Sequence, residues 1–214
     1  MFDTIIRFFQ EGGNFMLPIA IVLTIGLAIA LERALYLFKV SRQNGKAIAA
    51  INPLLQNLEF NNIASLTEKS AITTIFQAGI NRMEHTRRRE EIEHAMEEEV
   101  METLPQLEKR TQYLATLANI STLLGLLGTI IGLIAAFSAV ANADPAEKAS
   151  LLSQSISVAM NTTAFGLIAA IPLLVCHAVL QTKTSEIITN LETAGVKFLN
   201  IIAKNNVPSK IETK

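Results

Sequence analysis

Three stretches of the chain carry no Asp, Glu, Lys or Arg: Gly12 to Leu31, Thr111 to Ala143 and Ala149 to Thr182. At the rise of an α-helix each is long enough to cross about 30 Å of hydrocarbon. The pattern predicts three transmembrane helices, spanning 15–38, 113–142 and 151–182. Between the first two lies a polar block, 39–112; a short turn, 143–150, joins the last two; a tail, 183–214, follows. Ahead of the first span, Phe2, Ile5, Ile6 and Phe9 recur at helical spacing with Asp3, Arg7 and Gln10 between them. That alternation predicts an amphipathic helix over 1–14 lying in the outer interface, with Gly12-Gly13 turning the chain into the bilayer.

The polar block reads as helix. Glu90, Glu91, Glu93, Ala95 and Met96 are strong helix formers within the stretch from Thr86 to Arg110. Glu84 and Arg88 are spaced as a favourable i,i+4 pair, and Glu98 and Glu102 as an unfavourable one. Pro105 should kink a helix or start a turn of one. Beyond it the pattern TLPQLEKRTQYLATLANIS predicts an unbroken helix into the second span. The third span is expected to continue through SEIITNLETAGVKFLNIIA, with Ile187, Ile188, Leu191, Phe198, Ile201 and Ile202 packing on the polar block. The fold class is therefore all-α, an integral membrane protein whose long helices extend beyond the bilayer into the cytoplasm.

Composition sharpens this. Half of the residues are hydrophobic, and only 17% are charged, against about 25% in a soluble domain. A net charge of −1 gives no basic balance for nucleic acid. Lys39, Arg42 and Lys46 follow the first span, Lys109 and Arg110 precede the second, and Lys183 follows the third. The head offers Arg7 and the turn ANADPAEK offers Lys148. The positive-inside rule places block and tail in the cytoplasm, and head and turn on the periplasmic side. The start MFDTIIRFFQEGG is nearly neutral and no small-residue cleavage pattern follows, so the first span reads as an uncleaved anchor.

The chemistry-bearing residues are few. The single cysteine, Cys176, lies within an apolar run and reads as packing. His177 near the inner end of the third span reads the same way. His85 and His94 do not share one helix face, so a solvated surface outweighs a metal site there. Arg87-Arg88-Arg89 could meet anionic headgroups, but Glu97-Glu98-Glu99 nearby favours surface pairing. No phosphate loop, nucleophile elbow or CxxC is present, and nothing suggests an enzyme, a cofactor or a resident metal.

Polar residues inside the spans are more telling. Two long helices joined by a short turn run antiparallel. Thr129 and Thr163 stand equally far before and after the turn's centre near residue 146, which sets them at one depth, about 15–20 Å from the outer interface. Gly125, Gly128, Gly132 and Ala136 line one side of the second span; Ala159, Gly166 and Ala170 line one side of the third, flanked by Thr162 and Thr163. Small residues at this spacing let helices approach closely. Threonine hydroxyls often bond back to the i−4 carbonyl, so spacing alone leaves two readings open, helix packing and a polar pathway through the membrane. Asn161 is costlier in hydrocarbon and wants an interhelical partner or water. Its N-x-T context has no meaning for glycosylation at mid-membrane.

The motifs GLLGTIIGLIAAF (125–137) and NTTAFGLIAAIP (161–172) resemble those of the MotA/TolQ/ExbB proton channel family. So do LPQLEKRTQYLATLANISTLLGLLGT (104–129) and LERALYLF (31–38), and the resemblance covers most of the chain. Three spans with the large loop after the first are similar to the ExbB/TolQ branch. The resemblance implies a homopentamer in a Gram-negative inner membrane, surrounding two single-span partner helices of the ExbD/TolR type whose intramembrane Asp carries the ion. It implies work on the envelope through a TonB- or TolA-like transducer, with Thr129 and Thr163 as the pore threonines and Thr162 and Asn161 beside them. Where many ExbB and TolQ relatives carry a Glu in the third span, this chain has Val158. Any titrating carboxyl must then come from the partner. Asn161, Thr162 and Thr163 offer neutral oxygens of the kind hard cations accept, so Na⁺ stands beside H⁺ as the driving ion. The alternatives are Tol-Pal-type envelope maintenance, a motility stator, a scaffold that conducts nothing, and a carrier. A carrier would want broken helices or internal repeats.

Overall fold

The computed structural model describes Gly13, residues 15–66, 70–86 and 88–206, and every regular element among them is helical. The expected interfacial helix over 1–14 lies outside these residues except for Gly13. In chain order the helices are α1 Met16–Gln56, α2 Phe60–Ala64, α3 Ala71–His85, α4 Arg89–Glu108, α5 Thr111–Asn142 and α6 Lys148–Asn206. Three helical segments, beginning at Met16, Arg89 and Lys148, are long and apolar enough to cross a membrane. The chain divides into two compact units, Met1–Arg33 with Arg110–Leu180 and Ala34–Lys109 with Gln181–Lys214.

In the first unit, α1 packs along α6. Met16 and Ile19 are buried with Phe165 and Ala169, and Ala20, Leu23 and Leu124 close over them. The i, i+3/i+4 spacing of these residues keeps one stripe of each helix in contact. Gly26 makes room for Leu173, whose Cδ2 would lie 2.5 Å from an added Cβ. Outward-facing residues such as Leu17, Leu31, Ile134, Phe137 and Met160 are large, apolar and exposed. A helix apolar on its outer faces as well as its inner one suits lipid or a neighbouring protein rather than water.

The second unit has a core of its own. Phe198 of α6 is fully buried, stacks on Phe76 with ring centres 5.1 Å apart and meets Phe60 edge-on at 6.0 Å. Offset-stacked and edge-on geometries suit the charge distribution of aromatic rings. Ile187, Leu191 and Ile202 are buried, whereas Ile188 and Ile201 are half-buried. α3 starts at Ser70, whose Oγ accepts the Thr73 amide at 3.2 Å, the ordinary serine N-cap.

Two sequence expectations fail here. The helix does not run unbroken from residue 104 into the second span, because α4 ends at Glu108 and Arg110 takes a left-handed φ of 64° before α5 begins. A left-handed residue is a usual helix terminator, though glycine commonly fills the place. Arg110 holds it with its Nη1 2.7 and 2.8 Å from the two carboxylate oxygens of Glu32. Likewise Glu84 and Arg88 do not pair along one helix, since α3 ends at His85 and α4 begins at Arg89. Arg88 instead lies 3.6 Å from both Glu90 and Glu91.

Gly45 is exposed within α1, and an added Cβ would meet nothing within 4 Å. Gly45→Ala should therefore stabilise the protein by about 0.5–1 kcal/mol, the helix-propensity difference. A rise in the thermal midpoint of the detergent-solubilised protein checks this.

Candidate functional site

α5 and α6 cross with their backbones in contact. Gly125 stands against Gly166 and Thr163; Gly128 against Thr162; Gly132 against Ala159. The contacts rise along one helix as they fall along the other, so the pair is antiparallel. A Cβ on Gly166 would lie 2.8 Å from the Ser121 carbonyl oxygen and 3.0 Å from the Gly125 Cα. Only glycine at position 166 allows this approach, and a Cβ on Gly125 would already be tight, 3.2 Å from the Gly166 Cα. Small residues one or two turns apart on each helix thus convert a sequence stripe into a backbone contact.

The close approach brings polar atoms together. Thr129 and Thr163 hydrogen-bond each other through their hydroxyls. The Thr163 Oγ1 also lies 2.9 Å from the Gly125 carbonyl oxygen, across the helix pair. The Thr129 Oγ1 has the Gly125 carbonyl at 3.2 Å and the Ala159 carbonyl at 3.4 Å. Both threonines are half-buried. Each hydroxyl has one hydrogen and two lone pairs. Each carbonyl already takes the amide of its own helix, so the lone pairs left over in the cluster are chiefly those of the two hydroxyl oxygens. Chemically it can receive a proton donor or a hard cation; it cannot itself ionise, since neither helix has an Asp or Glu in its apolar stretch.

The other sequence-predicted residues fall differently. Thr162 is buried, its hydroxyl donating to the Val158 carbonyl at 3.0 Å and its Cγ2 2.4 Å from where a Gly128 Cβ would stand. Adjacent threonines thus point to different neighbours, one back along its own helix and one across to α5. Asn161 is half-buried. Val158 packs near the start of α1, 3.3 Å from where a Cβ on Gly13 would stand. Sequence reasoning passed over Ser121, which is fully buried at the crossing with an Oγ that has no partner among the described residues. Its signal was its position one turn before Gly125. Cys176 is a free, half-buried thiol, and His177 is half-buried. His85 bonds to the Asn81 carbonyl and His94 sits 3.4 Å from Glu97, apart from each other.

A family model described as the MotA/TolQ/ExbB proton channel family matches residues 67–193, more than half of the chain. A relative described as a biopolymer transport protein ExbB homolog, from Methanothermobacter thermautotrophicus, is 28% identical over 99% of this chain and 77% of its own length. A biopolymer transport protein ExbB-like 3 from Synechocystis is 28% identical over 76% of this chain and 78% of its own. The Tol-Pal system protein TolQ of Haemophilus influenzae is 37% identical over 38% of this chain and 35% of its own.

Proposed function

Because the chain belongs to the MotA/TolQ/ExbB proton channel family, a family of membrane energy-transducing subunits, we propose that it is the ring subunit of an ion-driven motor in the inner membrane. In this reading five copies surround two single-span helices of the ExbD/TolR type, and an Asp on those helices carries the proton. The observation that bears most on it is the acceptor-rich cluster of Thr129, Thr163 and the Gly125 carbonyl, half-buried and without a carboxylate. Such a cluster can greet a protonated carboxyl as it passes but cannot relay the proton itself. Val158, where relatives of this branch often carry Glu, supports a partner-supplied acid. Thr129 and Thr163 are then the pore threonines. Asn161 neighbours them, and Thr162 supports them by filling the space beside Gly128.

The two relatives matched over most of the chain carry ExbB names, while the TolQ match is shorter. That balance supports energised uptake through a TonB-like transducer ahead of Tol-Pal-type maintenance or motility. The distribution of Lys and Arg supports a periplasmic head and turn and a cytoplasmic block and tail.

The test is ion flux into vesicles bearing the chain alone, or the chain with a single-span partner carrying an intramembrane Asp. The expected result is proton uptake with the pair, none with the chain alone, and none when that Asp is Asn. Flux through the chain alone would overturn the partner-supplied acid, and none through the pair would leave the scaffold reading in its place. Uptake that requires Na⁺ in the bath would assign the cluster to sodium.

A further inference from the structure

Two exposed stripes of opposite charge stand on α1 and α4 of the second unit. On α1, Leu35, Phe38, Arg42, Lys46 and Ala49 are exposed at helical spacing and form one face. On α4, His94, Glu98, Met101, Glu102 and Pro105 do the same. Each stripe holds a large apolar side chain open to its surroundings, Phe38 at 67% and Met101 at 68% exposure. Arg42, Lys46, Glu98 and Glu102 form no ion pair among the described residues. Each stripe also repels itself, since Arg42 with Lys46, and Glu98 with Glu102, are i,i+4 pairs of like charge. Crowding shows at Glu99, whose carboxyl is raised from 4.5 by burial and then by Glu102 and Glu98. Cations from outside the chain would relieve it.

The two stripes stand level. α1 between Tyr36 and Asn44 and α4 between Glu99 and Leu107 line one cleft. α1 leads away from the first span and α4 leads toward the second, so they run opposite ways. Matching the ends of those stretches sets Arg42 level with Glu102 and Lys46 with Glu98, to about one residue's rise of 1.5 Å. Equal level matters in a ring. Its copies are related by rotation about the membrane normal, which changes no residue's depth. A contact between unlike faces is head to tail, and it repeats until the ring closes.

We propose that the α1 stripe of one copy docks on the α4 stripe of the next, Arg42 against Glu102 and Lys46 against Glu98, covering Phe38 and Met101 at the same contact. This rests on the ring reading above and adds to it a surface and a register. An exposed ion pair is worth little singly. Two per contact act mainly on which faces meet and in what register.

The experiment uses the full chain in detergent with Cys176→Ala throughout. Copies with Lys46→Cys and copies with Glu98→Cys, tagged differently, are co-expressed and treated with a short bismaleimide. The expected result is a link between the two tags, and none among copies bearing either change alone. Independently, Arg42→Glu with Lys46→Glu, or Glu98→Lys with Glu102→Lys, should raise at least about tenfold the concentration below which the ring dissociates in mass photometry, because two attractions become two repulsions at each contact. All four changes together should restore it. An intact ring with no link between the tags overturns the proposal and leaves the motor reading standing. A monomer in the unaltered chain removes the ring itself and both readings with it. If only the α1 reversals weaken assembly and the α4 reversals do not repair it, the basic stripe serves lipid headgroups and the proposal fails. Should the reversed chains not insert, the cysteine link decides.

Discussion

Thr163→Val gives a chain that inserts and assembles normally but carries at least about tenfold less partner-dependent ion flux, a rise of roughly 1.4 kcal/mol in barrier. Valine matches threonine in shape, so the crossing of α5 and α6 is not disturbed sterically. What goes is one hydroxyl, the group that faces the Gly125 carbonyl at 2.9 Å and meets Thr129. Hydrogen bonds between membrane helices are worth about 0.6 kcal/mol on average, too little to unfold the protein. On the proposed reading the ion pathway loses more, because an apolar methyl replaces one of the few oxygens at that level of the two helices. Thr163→Ser, which keeps the oxygen, should retain most of the flux. Size-exclusion profiles of the three proteins report assembly, and vesicle flux reports function. Normal flux in the valine variant would reduce the cluster to helix packing.

Gly166→Leu should yield little or no folded protein, and Gly166→Ala should already cost about 1–3 kcal/mol, the usual scale of overpacking. The groups an added Cβ meets are the Ser121 carbonyl oxygen and the Gly125 Cα, both backbone. Neither can swing aside as a side chain would. Gly79 is the instructive contrast: a Cβ there meets the Sδ and Cγ of Met96 at 2.8 and 2.9 Å and the Phe198 ring at 3.0 Å, close contacts too, but all with side chains, of which the unbranched Met96 can adjust. Gly79→Ala should therefore be the milder change of the two. Thermal unfolding of the solubilised variants ranks them, and equal losses at both glycines would contradict the backbone contact.

Much of this could be read from the residues. Charge-free runs fixed the number of apolar helices, because nothing but a membrane or a buried core favours such lengths without charge. The short turn ANADPAEK made α5 and α6 antiparallel and so brought Thr129 level with Thr163. Other features were not legible. Periodicity reports which face a residue occupies, not whether the chain stops. The break at Lys109–Arg110 comes with a left-handed Arg110 whose side chain pairs with Glu32, a residue far away in sequence. The different fates of Thr162 and Thr163 also escaped, since neighbouring residues on a helix differ by a rotation whose outcome depends on the partner's glycines.

The touching backbones of Gly125 and Gly166 carry a mechanical consequence. With no side-chain cushion between them, α5 and α6 can neither roll nor slide at that level without prising carbonyls apart. Around the threonines the pair is in effect a single strut. On the proposed motor reading, a power stroke would tilt or turn that strut as a whole, and the compliance it needs would be found in joints elsewhere along the chain.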